Sequence, residues 1–582
     1  MRGKKNFKAK VGLILGCGLL FAQTLLAQTY GERYNLTFAT EGPDIYRGDF
    51  PGWTLNAENS EFVPYTIKGR KYTGINSGEH YLSNNPFYVD LFSEEPLTLP
   101  GDLSDRMVAE VTCSGRHMNR ATMFIYRTDP ASDAVVVDTV DLYAISGANT
   151  SLRQLKRATL PLCYIRFRAE SAARDTYIPN FYRSFRLAEV RLRSRGRVIN
   201  DTVVRPLPEA KCDLTKAMAW TAEGLPAGLS APRVLALGTT MKHSLRSVKA
   251  AYDLTRRRIE EGGCRTVVID LDVSRAVYLN RYVTGDSRFP RSLLAPLLDF
   301  YSRPIAAEKE QLLAFVDWVR AYNEGRSDKV RLIGGDLLSE HNALNGFDFG
   351  NWGTYFERFR HTGSVAIDSL VEMATGESYP SQLAPEPQIA ATDFRDFILR
   401  HDGELAEVLG GDEVRLIRYF FEHTGVYMLT YVDLKDVERR YNGGLTFIVN
   451  ELCAPDERVT LLAPLEHLHF SRTVRPWLTP AGRLLRERHG ADYACWALLT
   501  GQESRTIPVY PAPREDVETL GPVRESSLEL LLGKALTAPA FIPATAFDGI
   551  GWVRCFDSYQ GDRNHYDPVC PPRAFDGVVW CR

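Results

Sequence analysis

The stretch that decides the fold reads Arg233-Val-Leu-Ala-Leu237-Gly238-Thr-Thr-Met-Lys242-His243. Its first five residues predict a buried strand, and the glycine begins a turn with a basic tip. A long helix over about 244–261 and a second strand over 266–272 follow. Together they form a βαβ unit, so we expect the two strands to be parallel and to pair with each other. Because ligands of such sheets bind beyond the carboxyl ends of the strands, the site is expected at 239–243 and at Asp270 and Asp272.

The composition is that of a globular protein with two or three domains. The chain has 582 residues, of which 44% are hydrophobic and 24% are charged. The formal net charge of -2 gives no strong field for nucleic acid, so no nucleic-acid partner is expected. The 10 cysteines contain no CxxC pair, so no metal site is predicted. Because the sequence has no P-loop and no HExxH motif, we also expect no cofactor.

The N-terminus has the layout of a secretory signal peptide. Residues 1–10 are basic, 11–27 are apolar, and the polar residue Gln28 follows. This pattern predicts cleavage before Gln28 and export to the periplasm or surface of a bacterial cell, with no membrane span left in the mature chain. A single membrane anchor and lipid attachment at Cys17 are the alternatives, although the apolar run is short for a bilayer and is interrupted by Gln23.

The C-terminal tail has two features of its own. Cys555, Cys570 and Cys581 crowd it, and in an oxidising compartment one disulfide among them is a hypothesis, whereas buried free thiols are expected for the remaining cysteines. A small repeat also occurs, because 546–552 and 574–580 both predict a turn followed by a short strand.

The pattern of elements divides the chain into a signal peptide and two domains. Residues 28–200 contain short strands separated by turn residues, which predicts an all-β sandwich of jelly-roll type. Residues 201–232 are rich in proline and predict a linker. From 233 to 582 helices and strands alternate, which predicts an α/β domain with a mainly parallel sheet flanked by helices. The sandwich weakly resembles carbohydrate-binding domains, and this resemblance singles out no binding residues.

Several landmarks of 233–582 occur in the order and at the spacing of one known family. They are the Leu237-Gly238 turn, the strand that ends at Asp270, the run Leu279-Asn-Arg-Tyr-Val-Thr-Gly285, the segment Asp317-Trp-Val-Arg-Ala-Tyr-Asn323, the strand Arg331-Leu-Ile-Gly-Gly-Asp336, and the strand and turn over 459–467. On these residues, this half of the chain resembles the erythromycin esterase family and is expected to share its fold.

The resemblance also implies that most of the reactive residues are replaced. Family members that hydrolyse an ester carry a Gly-Glu-x-x-His turn, and here Thr239 and Lys242 occupy the Glu and His positions. The glutamate that ends the second strand corresponds to Asp270. Of two histidines on a later strand, the first falls on Pro464 and the second is His467.

Two further family positions are also altered. A Glu-Asn pair on a family helix falls on Leu445-Thr446, and a helical arginine falls near Ala251. The resemblance therefore implies a degenerate or altered site.

Residues that remain at the expected edge could form a rearranged site. The candidate catalytic residues are His243, His467 and Asp270, because a histidine with a pKa near 6.5 is a competent base at neutral pH. A slip of one residue in the turn would bring His243 to the family position. The candidate substrate-binding residues are Lys242, Thr239, Asp272, Asp336 and Glu466.

Several polar residues at this edge also have a structural interpretation. Lys242 could be an exposed turn residue, and Asp272 could cap a helix. His467 and His469 could be satisfied pocket histidines.

The leading hypothesis is an exported erythromycin-esterase-like protein with a degenerate or altered hydrolase site, which hydrolyses an unidentified ester or binds a small-molecule or glycan ligand. A pseudoenzyme is the version of this hypothesis in which catalysis is lost. The alternative is a non-catalytic glycan-binding protein of the cell surface. An active esterase that inactivates macrolide-like lactones is a third hypothesis, and the replaced turn residues argue against it.

Overall fold

A computed structural model describes the chain in part. The described residues are 34–38, 52–56, 60–67, 70–77, 87–98, 107–142, 149–155, 160–171, 183–200, 209–219, 231–241, 244–298, 306–336, 347–375, 387–424, 434–501, 504–509, 514–519, 523–554 and 566–582. The predicted signal peptide with Cys17, the residues Lys242 and His243, and Cys555 lie outside them. The chain divides into two compact units, one formed by 1–129 and 134–207 and the other by 130–133 and 208–582.

The first unit contains two antiparallel sheets. Its strands are β1 (Trp53–Asn56), β2 (Ser60–Ile67), β3 (Arg70–Ser77), β4 (Phe87–Ser93), β5 (Leu97–Thr98), β6 (Met107–Arg116), β7 (Arg120–Asp129), β8 (Ala134–Asp141), β9 (Asn149–Gln154), β10 (Leu162–Ser171), β11 (Ser184–Ser194) and β12 (Arg197–Val198). One sheet has the order β1-β4-β10-β7-β8 with β5 on β10, and the other has the order β2-β3-β11-β6-β9 with β12 on β11.

The two sheets share one aromatic core, which makes the first unit a sandwich. Phe167 on β10 packs against Phe185 on β11 with ring centroids 6.1 Å apart, and these strands belong to different sheets. Trp53 lies 5.7 Å from Phe167 and is fully buried. Burial of such large rings on facing sheets is a major stabilising term in a sandwich. The predicted β-sandwich is confirmed.

The second unit contains the remaining strands. They are β13 (Lys211–Cys212), β14 (Met218–Ala219), β15 (Val234–Thr239), β16 (Thr266–Asp272), β17 (Arg331–Asp336), β18 (Val459–Pro464), β19 (Tyr493–Thr500), β20 (Ser504–Val509), β21 (Arg514–Thr519), β22 (Ala540–Pro543), β23 (Phe547–Asp548), β24 (Gly551–Arg554), β25 (Tyr566–Val569) and β26 (Gly577–Cys581). The central sheet has the order β14-β22-β26-β19-β15-β18-β16-β17.

Helices connect these strands. They are α1 (Leu245–Glu260), α2 (Val273–Thr284), α3 (Leu294–Leu298), α4 (Ala306–Asn323), α5 (Phe347–Glu357), α6 (Val365–Thr375), α7 (Pro387–Arg400), α8 (Asp402–Leu409), α9 (Gly411–Thr424), α10 (Leu434–Phe447), α11 (Leu465–Leu468), α12 (Ala481–His489), α13 (Leu528–Ala535) and α14 (Pro571–Ala574). The strands from β26 to β17 are parallel, whereas β22 and β14 pair antiparallel at one end. The predicted α/β fold with a mainly parallel sheet is confirmed.

The predicted pairing of the first two strands is wrong. Strands β15 and β16 are parallel and α1 joins them, but β18 lies between them, since Val459 is the register partner of both Val234 and Thr266. A helix is about 10 Å wide, and two strand spacings in a sheet also amount to about 10 Å. A crossover that skips one strand therefore packs as well as one between neighbours.

Local signals explain why the connecting helix begins and ends where the sequence predicts. Ser244 caps α1, because its hydroxyl oxygen accepts a hydrogen bond from the backbone N–H of Ser247 at 3.2 Å. Near its other end, the buried side chain of Arg258 donates to the carbonyl oxygen of Pro232 at 2.6 Å and so ties the helix to the start of β15. The apolar side of the helix, which includes Leu254, is buried in the core of the unit.

The disulfide hypothesis for the C-terminal tail extends beyond the described residues. Cys581 is buried and its thiol donates to the carbonyl oxygen of Val579 at 3.6 Å, while the disulfide hypothesis also involves Cys555, which is not described.

None of the described helices has both the length and the apolar character needed to cross a membrane.

Two glycines, each at the second position of a helix, allow a matched test of this packing. A Cβ atom on Gly482 would lie 1.7 Å from the carbonyl oxygen of Leu468, whereas a Cβ atom on Gly403 would meet nothing within 4 Å. We expect Gly482→Ala to lower the free energy of unfolding of the second unit by about 3 kcal/mol, since backbone must move. Gly403→Ala should raise it by up to about 1 kcal/mol, because alanine is the better helix former.

Denaturant unfolding of the full chain and both variants measures this difference. Equal stability of the two variants would contradict the close contact between α11 and α12.

Candidate functional site

The candidate site lies at the carboxyl edge of the central sheet, where β18 passes directly into α11. Thr239 at the end of β15 is in register with Pro464 at the end of β18. The next residues of the chain form the four-residue helix α11, which carries Glu466 and His467. The strand ends therefore bring three positions noted in the sequence to the same edge.

Helix α11 is held on both sides by residues that lack a side chain. A Cβ atom on Gly238 of β15 would lie 2.6 Å from Leu465 Cδ1 and 3.0 Å from Leu465 Cα. A Cβ atom on Gly482 of α12 would overlap the carbonyl group of Leu468. Both ends of α11 thus lie so close to a neighbouring backbone that only glycine fits at the contact. This packing fixes where Glu466 and His467 point.

A chain of hydrogen bonds fixes the tautomer of His467. The Asn442 side-chain amide on α10 donates through Nδ2 to the carbonyl oxygen of Thr479 at 3.0 Å. Its Oδ1 therefore faces Nδ1 of His467, at 3.1 Å. Since that oxygen can only accept, Nδ1 carries the hydrogen, and the lone pair of the neutral ring is on Nε2.

The aromatic ring of Tyr441 connects His467 to Asp270. The ring centroids of Tyr441 and His467 are 4.2 Å apart. The Tyr441 hydroxyl donates to Oδ1 of Asp270 at 3.2 Å. The structure therefore brings these two predicted residues to one side chain of α10.

Glu466 and Arg475 form the charged part of the site. Oε1 of Glu466 lies 3.6 Å from Nε2 of His467, and Oε2 accepts a hydrogen bond from Arg475 at 2.8 Å. Nε of Arg475 lies 3.8 Å from Oδ2 of Asp567 on β25. Arg475 has a φ of 42°, a left-handed conformation that costs a non-glycine residue roughly 1–2 kcal/mol. That local strain places the guanidinium between two carboxylates.

His469 forms a buried wall of the site. Burial is the main reason that the pKa of His469 is lowered from 6.5 to about 3, and the positive charge of Arg475 contributes to the same shift. Its Nδ1 atom has no hydrogen-bond partner among the described residues. The ring is therefore neutral at neutral pH and stays neutral on mild acidification, in contrast to a histidine that titrates near pH 6.5.

These side chains line a small cavity of about 10 Å³, which is room for about one water molecule. Its lining residues are Asn442, Glu466, His467, His469, Val474, Arg475, Leu478 and Pro480. Within the described residues, no group of three or more His, Cys, Asp or Glu side chains could hold a metal ion.

Of the other predicted site residues, Asp272 lies at the end of β16 and Asp336 at the end of β17, whereas Lys242 and His243 are not among the described residues. The carboxylate of Asp272 caps α2: it accepts from the backbone N–H of Arg275 at 3.0 Å and from the Ser274 hydroxyl at 2.7 Å, and it forms an ion pair with Arg275. Asp336 ends β17 as the register partner of Asp272. We therefore leave Asp272 out of the proposed site.

Sequence reasoning missed the two α10 residues that contact His467. The resemblance places the family's Glu-Asn pair at Leu445-Thr446, but Leu445 is buried in the core and the Thr446 hydroxyl donates to its own helix at the Gly443 carbonyl. Tyr441 and Asn442 precede that pair by four residues. Residues four apart lie on the same face of a helix, so spacing alone does not separate the two assignments.

Comparison with protein families confirms the predicted resemblance over part of the second unit. The erythromycin esterase family model matches residues 259–348. The matched stretch contains Asp270, Asp272 and Asp336, and it ends before α10, so the cluster around His467 lies outside it. Comparison with curated proteins gives no match.

Several solved structures are similar to parts of the chain. A succinoglycan biosynthesis protein is 15% identical, covers 63% of this chain and 94% of its own, and has a TM-score of 0.45. A mutant of the erythromycin esterase EreC in its open conformation is 17% identical over 60% of this chain and 91% of its own, with a TM-score of 0.39. The carbohydrate-binding module TmCBM61 in complex with β-1,4-galactotriose is 10% identical over 26% of this chain and 97% of its own, with a TM-score of 0.18.

The buried neutral His469 predicts a specific dependence of stability on pH. Its pKa is about 3 in the folded chain and 6.5 when unperturbed, so between these values the unfolded state binds one more proton than the folded state. Its contribution to stability is therefore present above pH 6.5 and is lost as the pH falls towards 3. We expect the free energy of unfolding to fall with acidification by up to about 1.4 kcal/mol per pH unit more steeply than in His469→Gln.

Unfolding curves of both proteins between pH 7 and pH 4 measure the difference, in which the contributions of other groups cancel. Parallel pH dependences would show that His469 is not held neutral.

Proposed function

We propose that the second unit is an ester hydrolase with an altered site, in which His467 takes the proton of the attacking water. The observation that carries this proposal is the hydrogen-bond chain from the Thr479 carbonyl through Asn442 to His467. It leaves the lone pair of the neutral imidazole on Nε2, at the wall of a cavity that has room for one water molecule. Orientation of a histidine by a second polar group is a recurring device of general base catalysis.

The proposed reaction uses water and an ester and needs no other reactant. The water oxygen attacks the carbonyl carbon while Nε2 of His467 takes one of its protons, which gives a tetrahedral intermediate. The bond from that carbon to the alcohol oxygen then breaks, its electron pair stays on the oxygen, and the imidazolium returns the proton to it. The products are a carboxylic acid and an alcohol.

Glu466 and Asn442 have different roles in this scheme. The carboxylate of Glu466, 3.6 Å from Nε2, stabilises the positive charge that develops on the imidazole ring. Arg475 keeps that carboxylate in place. Asn442 accepts from Nδ1 in both the neutral and the charged ring, so it orients His467 throughout the reaction.

The proposal places the chemistry on a different part of the sheet edge from the family turn. Thr239 and Lys242 replace the Glu and His of that turn, and neither is a general base at neutral pH. Asp270 supports Tyr441 against the His467 ring. Thr239, Lys242 and Asp336 stay proposed substrate-binding residues at this edge, and His243 stays a second proposed base.

A further proposal is that the protein acts outside the cytoplasm. The basic segment 1–10 and the apolar segment 11–27 support it.

As the alternative function, we propose that the first unit binds a glycan at the cell surface, with the second unit as a scaffold. The described rings of Trp53, Phe167 and Phe185 are buried, so they support the sandwich core and not a sugar platform. The contacts of His467 with Asn442 and Glu466 favour the hydrolase over the glycan-binding function.

Turnover of simple esters tests the proposed hydrolase. Against a panel of 4-nitrophenyl and lactone esters, we expect His467→Ala to lower kcat by about 10²–10⁴-fold, the usual contribution of a general base. Asn442→Ala should lower kcat less, because the histidine is then free to adopt either tautomer.

His489→Ala is the matched control, since His489 also contacts an asparagine, Asn450, at 2.8 Å, but lines no part of this cavity. It should leave turnover unchanged. Absence of turnover with every ester would favour a ligand-binding pseudoenzyme, and equal turnover in the wild type and His467→Ala would exclude His467 as the base.

Export has its own test. The mature protein recovered from bacterial cells should begin at Gln28, as N-terminal sequencing would show, because cleavage is expected at the end of the apolar segment. Recovery of the chain with residues 1–27 intact in the cytoplasm would exclude export.

A further inference from the structure

A second cavity adjoins the one that holds His467. The two share Glu466, His469 and Val474, and the second also has a volume of about 10 Å³. Its walls are mostly apolar, in contrast to the first cavity. The apolar lining residues are Leu465, Val474, Val553, Val569, Ala574 and Phe575.

The C-terminal tail supplies most of this apolar wall. In the antiparallel hairpin of β24 and β25, Val553 is paired with Asp567, and Val569 is paired with Gly551. Side chains of alternate residues share a face, so Val553, Val569 and Asp567 all lie on one face of the hairpin. Ala574 and Phe575 open the second copy of the tail repeat. The second copy of the tail repeat therefore supplies two residues of the wall of the second cavity.

We propose that this second cavity is the acyl pocket of the site and that it accepts an acetyl group while excluding longer acyl chains. This inference rests on the proposed ester hydrolysis, and it names the substrate class as acetyl esters. The carbonyl carbon must lie beside the water at His467. We therefore place the acyl group in the apolar cavity, next to Glu466, His469 and Val474, which line both cavities. The alcohol part then remains on the side of the first cavity.

Both the chemistry and the size of the cavity support this occupant. A methyl group needs apolar neighbours, and six of the nine lining residues supply them. The two carboxylates in the wall, Glu466 and Asp567, both face Arg475. Room for about one water-sized group suits a methyl group, whereas a propyl group needs two more methylenes. In an apolar pocket, one methylene changes kcat/KM by about 10–200-fold.

The measurement is kcat/KM of the full-length protein on 4-nitrophenyl acetate, propionate and butyrate. In the wild type we expect acetate to exceed propionate by at least about tenfold, and butyrate to be poorer still. Val553→Ala and Val569→Ala each remove two methyl groups from the wall, so each should lower the acetate-to-butyrate ratio by about tenfold or more. Two wall variants are used because either one alone could fail to fold.

Val267→Ala is the control, because Val267 is a fully buried valine of β16 in the same unit and lines neither cavity. It should lose comparable stability and keep the wild-type acyl preference.

The outcomes separate this inference from the proposed function. Turnover that depends on His467 but shows no preference for acetate, or a ratio that both wall variants leave as in Val267→Ala, overturns the acyl pocket alone. Absence of any turnover that depends on His467 overturns the proposed hydrolase and the acyl pocket with it.

Discussion

The site depends on the close contact of helix α11 with backbone on both of its sides. A helix of four residues has no stability of its own, so its orientation is set by what it packs against. Gly238 lets Leu465 lie against β15, and Gly482 lets the carbonyl group of Leu468 lie against α12. Two packing contacts at the ends of α11 thereby determine the direction of the two polar side chains between them.

The charges around α11 form a compact set that is largely removed from water. Arg475 adopts a left-handed backbone conformation to reach both Glu466 and Asp567, and these carboxylates come from different parts of the chain. Buried charges are tolerated only when partners compensate for lost hydration, so the guanidinium stabilises both carboxylates in a site with little water. His469 stays neutral beside them. Among these groups, His467 is the one whose tautomer a neighbouring amide selects.

The sequence predicts local structure well and long-range arrangement less well. The bounds of α1 follow from the cap at Ser244 and the apolar spacing, both of which are local. The insertion of β18 between β15 and β16 depends on a strand almost two hundred residues away, and a βαβ pattern does not specify adjacency. His467 and Asp270 could be singled out because they lie at the carboxyl ends of predicted strands. Asn442 could not be singled out, because it shares its helix face with Thr446. Arg475 could not be singled out either, because it lies in irregular backbone between α11 and α12.

The most direct test of the account is the protonation of the two ring nitrogens of His467. A ¹⁵N spectrum of histidine-labelled protein at neutral pH, assigned by comparison with His467→Ala, distinguishes a nitrogen that carries hydrogen from one that does not. The hydrogen-bond chain through Asn442 predicts hydrogen on Nδ1 and a lone pair on Nε2, and loss of this preference in Asn442→Ala. A neutral ring with its hydrogen on Nε2, or a spectrum that Asn442→Ala leaves unchanged, would contradict it.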